Sequence, residues 1–238
     1  MKKYNLNLGS EQELIIKTDY FAKQANGSVL VQMGGTVVLA TAVMSDKDKK
    51  GLSFFPLSVE YREKTYAAGK IPGGFFKREG RPHEGEILAC REIDRPIRPL
   101  FPDWLKREVQ ISVFVLSYDG VNAADTLGMI GASLALSISD IPFDGPVSGV
   151  KLVLKDGNWV VNPTFTLEDV STIINMVGKD ENVVMLEGKL EEISDDKFLE
   201  GFDEASKAIK KLNEFQQQIK DEIGKEKMAA PEAAPDPL

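Results

Sequence analysis

The sequence predicts an α+β domain, mixed sheets packed with helices, followed by a C-terminal helical segment. Three observations carry this reading. Runs of β-branched and aromatic residues outnumber the helix-periodic stretches. The two kinds of segment neither alternate regularly nor reduce to strands alone. The chain has 238 residues, 42% of them hydrophobic, which is enough for a sizeable core.

The elements follow in order. Residues 28–43 read as two strands across a Gly34-Gly35 turn, a hairpin signal. Leu52 to Val59 reads as a further strand. Tyr61 to Phe76 has few apolar-periodic positions and several glycines, so a loop is expected there. Arg81-Pro82 is expected to open a helix, with Glu84 and Glu86 favouring its positive end and Pro96 marking its fading. Val109 to Leu116 is a strand. Ala123 to Ile138 is a helix rich in alanine, glycine and serine, and small side chains permit close approach, so it is expected to lie buried against the sheet. Val147 to Leu154 and Trp159 to Val161 form a hairpin across Asp156-Gly157-Asn158, and Thr172 to Val177 and Asn182 to Glu187 are strands. From Ser194 to Lys225, Phe198, Phe202, Ile209, Leu212, Phe215, Ile219 and Ile223 recur near helical spacing, behind a Ser194 cap. That predicts an amphipathic helix or helix pair. Ala229 to Leu238, proline-rich and otherwise short of apolar residues, is expected to be disordered.

Composition narrows the function classes. A net charge of −8 argues against a general nucleic-acid coat, so any polyanion must be met at a focused patch. Cys90 is the single cysteine and His83 the single histidine. An intrachain disulfide and a paired-cysteine zinc site are therefore excluded, and a reducing cytoplasm suits the composition. The N-terminal lysines have no apolar run behind them, and no stretch approaches the ~20 apolar residues of a membrane span.

Positive charge is not spread evenly. Five of the seven arginines, Arg78, Arg81, Arg91, Arg95 and Arg98, fall in one short stretch. Arginine's planar fork fits phosphate bidentately and its face stacks on bases. Phe75 and Phe76 add flat apolar faces beside Lys77 and Arg78. Flanking glycines and charges argue against burial of the two rings, and this chemistry suits a grip on a single-stranded polyanion. The alternative for the arginines is pairing with Glu84, Glu92 or Asp94.

The run Gly73-Gly74-Phe75-Phe76-Lys77-Arg78-Glu79-Gly80-Arg81-Pro82, continued by Arg91-Glu92-Ile93-Asp94-Arg95-Pro96-Ile97-Arg98-Pro99, closely resembles the bacterial polynucleotide phosphorylase family. So do Asp119-Gly120-Val121-Asn122-Ala123-Ala124-Asp125 and the stretch from Gly131 to Pro142. The resemblance runs from about Gly27 to Glu187, and the terminal helical segment fits it too. It implies an RNase PH-like fold, shared with the second domain of ribosomal protein S5. Residues 1–190 would be the first such core domain, 191–226 the start of a helical linker domain and 227–238 a disordered tail. The second core domain and the KH and S1 domains of the family would lie beyond this chain.

The implied activity is phosphorolytic 3′-to-5′ degradation of RNA to nucleoside diphosphates, reversibly, by a cytoplasmic homotrimer with RNA threaded through a central channel. Single-stranded RNA and RNA-degradosome proteins are the implied partners, and Mg2+ or Mn2+ and phosphate the implied cofactor and co-substrate. Phe75, Phe76, Lys77, Arg78 and Arg81 match the family's channel constriction, which carries Arg where Lys77 stands here. Arg91, Arg95 and Arg98 would continue the basic path. In the family's active second domain a serine-rich loop binds phosphate and an aspartate pair holds the metal. Here Ala123, Ala124 and Asp125 fall at the serine positions, and Ser171 and Ile173 at the aspartates. No catalytic residue and no metal ligand is expected in this chain. An assembly element and an autonomous phosphorolytic RNase are the alternatives.

Overall fold

The computed structural model describes residues 1–8, 13–49, 51, 54–164 and 170–231. Leu52 of the predicted strand and 232–238 of the predicted tail lie outside the described residues. Two sheets and three α-helices are built from them. The first sheet holds β1 (Lys2–Asn7), β2 (Glu13–Thr18), β3 (Gly27–Met33), β4 (Thr36–Asp48), β5 (Leu57–Glu63) and β6 (Arg107–Ser117), in the order β1-β2-β3-β4-β6-β5. Its pairs are antiparallel except β5 with β6, which is parallel. The second sheet, in the order β10-β9-β7-β8, is antiparallel throughout: β7 (Ser148–Lys155), β8 (Asn158–Val161), β9 (Ile173–Lys179) and β10 (Asn182–Lys189).

The helix α2 (Ala124–Ile138) packs against β3, β4 and β6 on one side and β7 on the other. Its small residues explain the fit: a Cβ added at Gly131 would lie 2.9 Å from the Ala40 Cβ and 3.2 Å from Val31. Thirteen of its fifteen residues are buried, as the sequence predicts for a helix pressed on the sheet. Its core neighbours Val38, Ala40 and Val113 alternate with less buried residues along their strands, the period-2 signature.

Three expectations change. The strands β1 and β2 were not foreseen; Leu14, Ile16 and Thr18 are fully buried at alternate positions, while Glu13 faces solvent. β5 starts later than expected and runs on to Glu63, because Tyr61 turns into the core and the Glu63 amide donates to the buried Glu86 carboxylate at 2.8 Å. The C-terminal stripe forms one continuous helix, α3 (Asp195–Ile223), capped by the Ser194 hydroxyl. Its Ile209, Leu212, Phe215 and Ile219 join the common core, and the buried Gln216 donates to the Val147 carbonyl and Ser148 hydroxyl. The chain after it also stays on the body. The Lys227 ammonium donates to the carbonyls of Leu136, Ser137 and Ser139, and the Met228 amide to Asp140. Four carbonyls at a helix end lack internal partners, and a cation is favoured there. No helix among the described residues is long and apolar enough to cross a membrane.

Candidate nucleic-acid interface

The segment from Gly69 to His83 leaves β5 through a 3₁₀ turn at Thr65–Ala68 and enters α1 (Glu84–Ile97). Its two ends are tied down by charge. Glu79 accepts from both the amide and the hydroxyl of Thr65, each at 2.9 Å, and these bonds hold its carboxyl below the ordinary range. The Arg62 guanidinium donates to the Gly80 carbonyl at 3.0 Å and lies 3.3 Å from Glu86. Glu86, 3% exposed, also accepts from the His83 amide and so closes a capping box at the start of α1. Arg62 and Glu79 are positioning residues that the sequence did not single out; Glu86 was expected at the helix start, but not as the partner of Arg62 and of the His83 amide. Glu86 three residues into the helix was the available signal, masked by a histidine at the cap where serine or threonine is usual.

Between these anchors the tip is open. Phe75 is 94% exposed and Phe76 81%, with ring centroids 5.4 Å apart and planes nearly perpendicular. Gly74 (φ 75°) and Lys77 (φ 50°) bracket them in the left-handed region. Glycine takes that conformation freely; lysine takes it at a cost of about 1 kcal/mol. Among the described residues Lys77, Arg78 and Arg81 have no acidic partner and face solvent. Two large apolar rings held in water beside three unspent cations are costly for a folded chain and suited to a ligand with flat bases and phosphates.

The helical arginines divide. Arg91 lies on the outer face of α1 with no partner among the described residues, roughly 10 Å along the axis from Glu84. Arg95 pairs with Glu187 of β10 at 3.1 Å, with both side chains about half exposed, a pair that a phosphate can displace at little cost. Arg98 departs from the expected basic path. It grips Asp94 with two bonds, of 2.9 and 2.6 Å, and donates to the carbonyls of Phe55 and Leu57. Its fork braces the end of α1, which leaves it less free for a polyanion than Arg91 or Arg95. Glu92, proposed above as an arginine partner, instead accepts from Asn175.

A second region lies at the N-terminus of α2. Asp119 accepts from the amides of Gly35, Val121 and Asn122, the Thr36 hydroxyl and the Asn122 amide group. Burial alone would push its carboxyl up, but these bonds outweigh it and hold the group well below the usual carboxylate range. Asp125, in the first turn of α2, pairs with Lys151 at 2.8 Å. The helix end that would attract an anion already has one of its own. Ala123 is the cap and Ala124 the first helical residue, so neither offers a hydroxyl. Ser171 and Ile173 stand at the start of β9, and no three His, Cys, Asp or Glu side chains converge among the described residues. Neither a phosphate cradle nor a carboxylate pair for a divalent metal is present at these positions.

Residues 10–142 match the family model described as 3′ exoribonuclease family, domain 1. The chain belongs to that family. Among curated proteins, it is 50% identical over 217 residues to the polyribonucleotide nucleotidyltransferase of a Sulfurihydrogenibium species, covering 91% of this chain and 31% of that one. It is 51% identical over 215 residues to the protein of that name from Lysinibacillus sphaericus, covering 90% of this chain and 30% of that one. The chain thus spans about 30% of the length of these relatives. Two solved structures share the fold, each with a TM-score of 0.70. An Archaeoglobus fulgidus exosome chain, from a structure described as having RNA bound to the active site, is 18% identical and covers 88% of this chain and 90% of that one. Rice (Oryza sativa) Rrp46 is 14% identical and covers 90% of this chain and 98% of that one. The α+β, RNase PH-like architecture expected from the sequence is the observed one.

Proposed function

We propose that this chain is the RNA-gripping core domain of a phosphorolytic 3′-to-5′ exoribonuclease, a polyribonucleotide nucleotidyltransferase that converts RNA and phosphate reversibly to nucleoside diphosphates. The observation that carries the reading is the tethered loop with Phe75 and Phe76 exposed beside unpaired Lys77, Arg78 and Arg81. The rings stack on successive bases while the cations neutralise the phosphates between them. Arg91 and Arg95 extend the path along α1.

The chemistry is done elsewhere. Ala123, Ala124, Asp125, Ser171 and Ile173 do not fit phosphate or Mg2+, so no catalytic step is assigned to this chain. A divalent metal and phosphate belong to a second core domain of the whole enzyme. A cytoplasmic homotrimer, with degradosome proteins as further contacts, completes the reading; the relatives' shared name supports its nucleotidyltransferase activity.

The test is the affinity of fluorescent oligoadenylate for the chain and for its Phe75→Ala/Phe76→Ala variant. A large loss with unchanged thermal unfolding is expected; equal affinity contradicts the assignment. The alternative of a pure assembly element has the small-residue helix and the sheet build a ring, with RNA bound elsewhere. That helix is enclosed by the chain's own two sheets and leaves little surface for a neighbour.

A further inference from the structure

The 3₁₀ turn, the start of α1, the end of β6 and the start of α2 together enclose a cavity of about 620 Å³. Ligand clefts typically measure roughly 300–1,000 Å³. The cavity sits at the root of the loop that carries Phe75 and Phe76: Lys64, Ala67 and Ala68 line it just before the loop, and Gly85 and Ala89 just after. Its walls are unusual for a member of an RNA-processing family. Alanine, glycine and valine supply most of the surface, with Tyr118 standing about half exposed at the side. The Tyr118 amide donates to the Ala67 carbonyl at 3.0 Å, which fixes that wall to the 3₁₀ turn.

Its polar groups offer an anion little. Lys151 is spent on Asp125. Glu63 accepts the Tyr61 hydroxyl on one oxygen, and no donor among the described residues reaches the other. Lys64 lies over the Phe114 ring, 5.2 Å from its centroid. The two lysines of the lining are balanced by its two carboxylates, Glu63 and Asp125. A phosphate entering here meets no surplus of positive charge, whereas a flat neutral ring with amino hydrogens meets apolar walls, an aromatic side and an open carboxylate oxygen.

We infer that this cavity is a nucleobase subsite, which takes one unstacked, amino-bearing base at the root of the loop while its phosphate stays outside. The choice of a nucleobase rests on the RNA-handling reading above; the preference for a neutral ring over an anion rests on the cavity's apolar walls and balanced charge. The site holds a base without reacting with it, so it lengthens the grip on a strand.

The experiment is saturation-transfer NMR and calorimetry of adenosine, uridine and inorganic phosphate on the full chain. Four proteins are compared: the unaltered chain, Tyr118→Ala, Gly85→Phe and Phe75→Ala/Phe76→Ala. At Gly85 an added Cβ meets nothing within 4 Å, so a side chain there occludes the rim without forcing the fold. Saturable adenosine binding is expected, tighter than uridine, weakened about fivefold or more by Tyr118→Ala and by Gly85→Phe, with this Tyr118-dependent binding still present in the loop variant. Three results overturn the inference: no saturation near ~10 mM adenosine, phosphate binding in competition with adenosine, or loss of adenosine binding in the loop variant. The last places the base on the tip. Loss of oligoadenylate affinity in the loop variant is read separately, so failure of the subsite and failure of the channel reading are distinguishable.

Discussion

The loop at 73–83 and the turn at 119–125 both carry charged groups and use them in opposite ways. In the loop, charge is spent at the two ends, through Arg62, Glu79 and Glu86, and left unspent at the tip. In the turn, every oxygen of Asp119 and Asp125 has a donor within the protein. The first arrangement gives a rigid base and an available surface. The second gives a stable corner with nothing left to hold a phosphate or a metal. Binding capacity in this domain is therefore read from which polar groups remain unsatisfied, not from how many there are.

The largest effect that separates the two regions is on RNA. Replacing Phe75 and Phe76 with alanine removes two stacking faces and is expected to cost about 2–4 kcal/mol in single-strand binding, measured by fluorescence anisotropy, with no change in urea midpoint. The converse holds at the turn. Asp119→Ala takes the acceptor from the amides of Gly35, Val121 and Asn122 and from the Asn122 side chain and is expected to cost about 2–3 kcal/mol of stability, with RNA affinity retained. Its pH dependence sharpens the point. The folded carboxyl titrates below the unfolded one, so the contribution is full above about pH 4 and fades as the pH falls further. Urea midpoints of the unaltered chain and the variant are expected to converge on acidification.

Smaller effects follow from the cations. Arg78→Ala/Arg81→Ala is expected to lower the slope of log affinity against log salt by about 1.4, since each phosphate contact on a single strand contributes about 0.7. An unchanged slope would mean that these arginines do not touch the backbone. Lys77→Arg restores the bidentate fork and is expected to tighten binding by a few tenths of a kcal/mol. Affinity that falls instead would show that the left-handed backbone there suits lysine.

The sequence made much of this legible because the signals were local. The Gly34-Gly35 hairpin, the small-residue helix and the Ser194 cap each depend on neighbours in the chain, and each stands where it was expected. The aromatic pair was legible because glycines and charges flanked it. What was missed depends on distant partners. β1 and β2 are short, and β2 acquires its meaning only by pairing with β3. Arg98 looked like its neighbours in sequence, yet its donors meet Asp94 one turn back and two carbonyls across the fold. The spacing of the last stripe left one helix or two open, and nothing local marked Gln216, a polar residue, as the anchor to β7.

The central claim is that this chain grips RNA without cutting it. The direct measurement is oligoadenylate binding by the 238-residue chain in the presence of magnesium and phosphate, with released nucleoside diphosphate followed in the same sample. The account predicts saturable binding and no diphosphate. Diphosphate release would contradict it, and would mean that a phosphate site and a metal site lie within this chain despite Ala123, Ala124, Ser171 and Ile173.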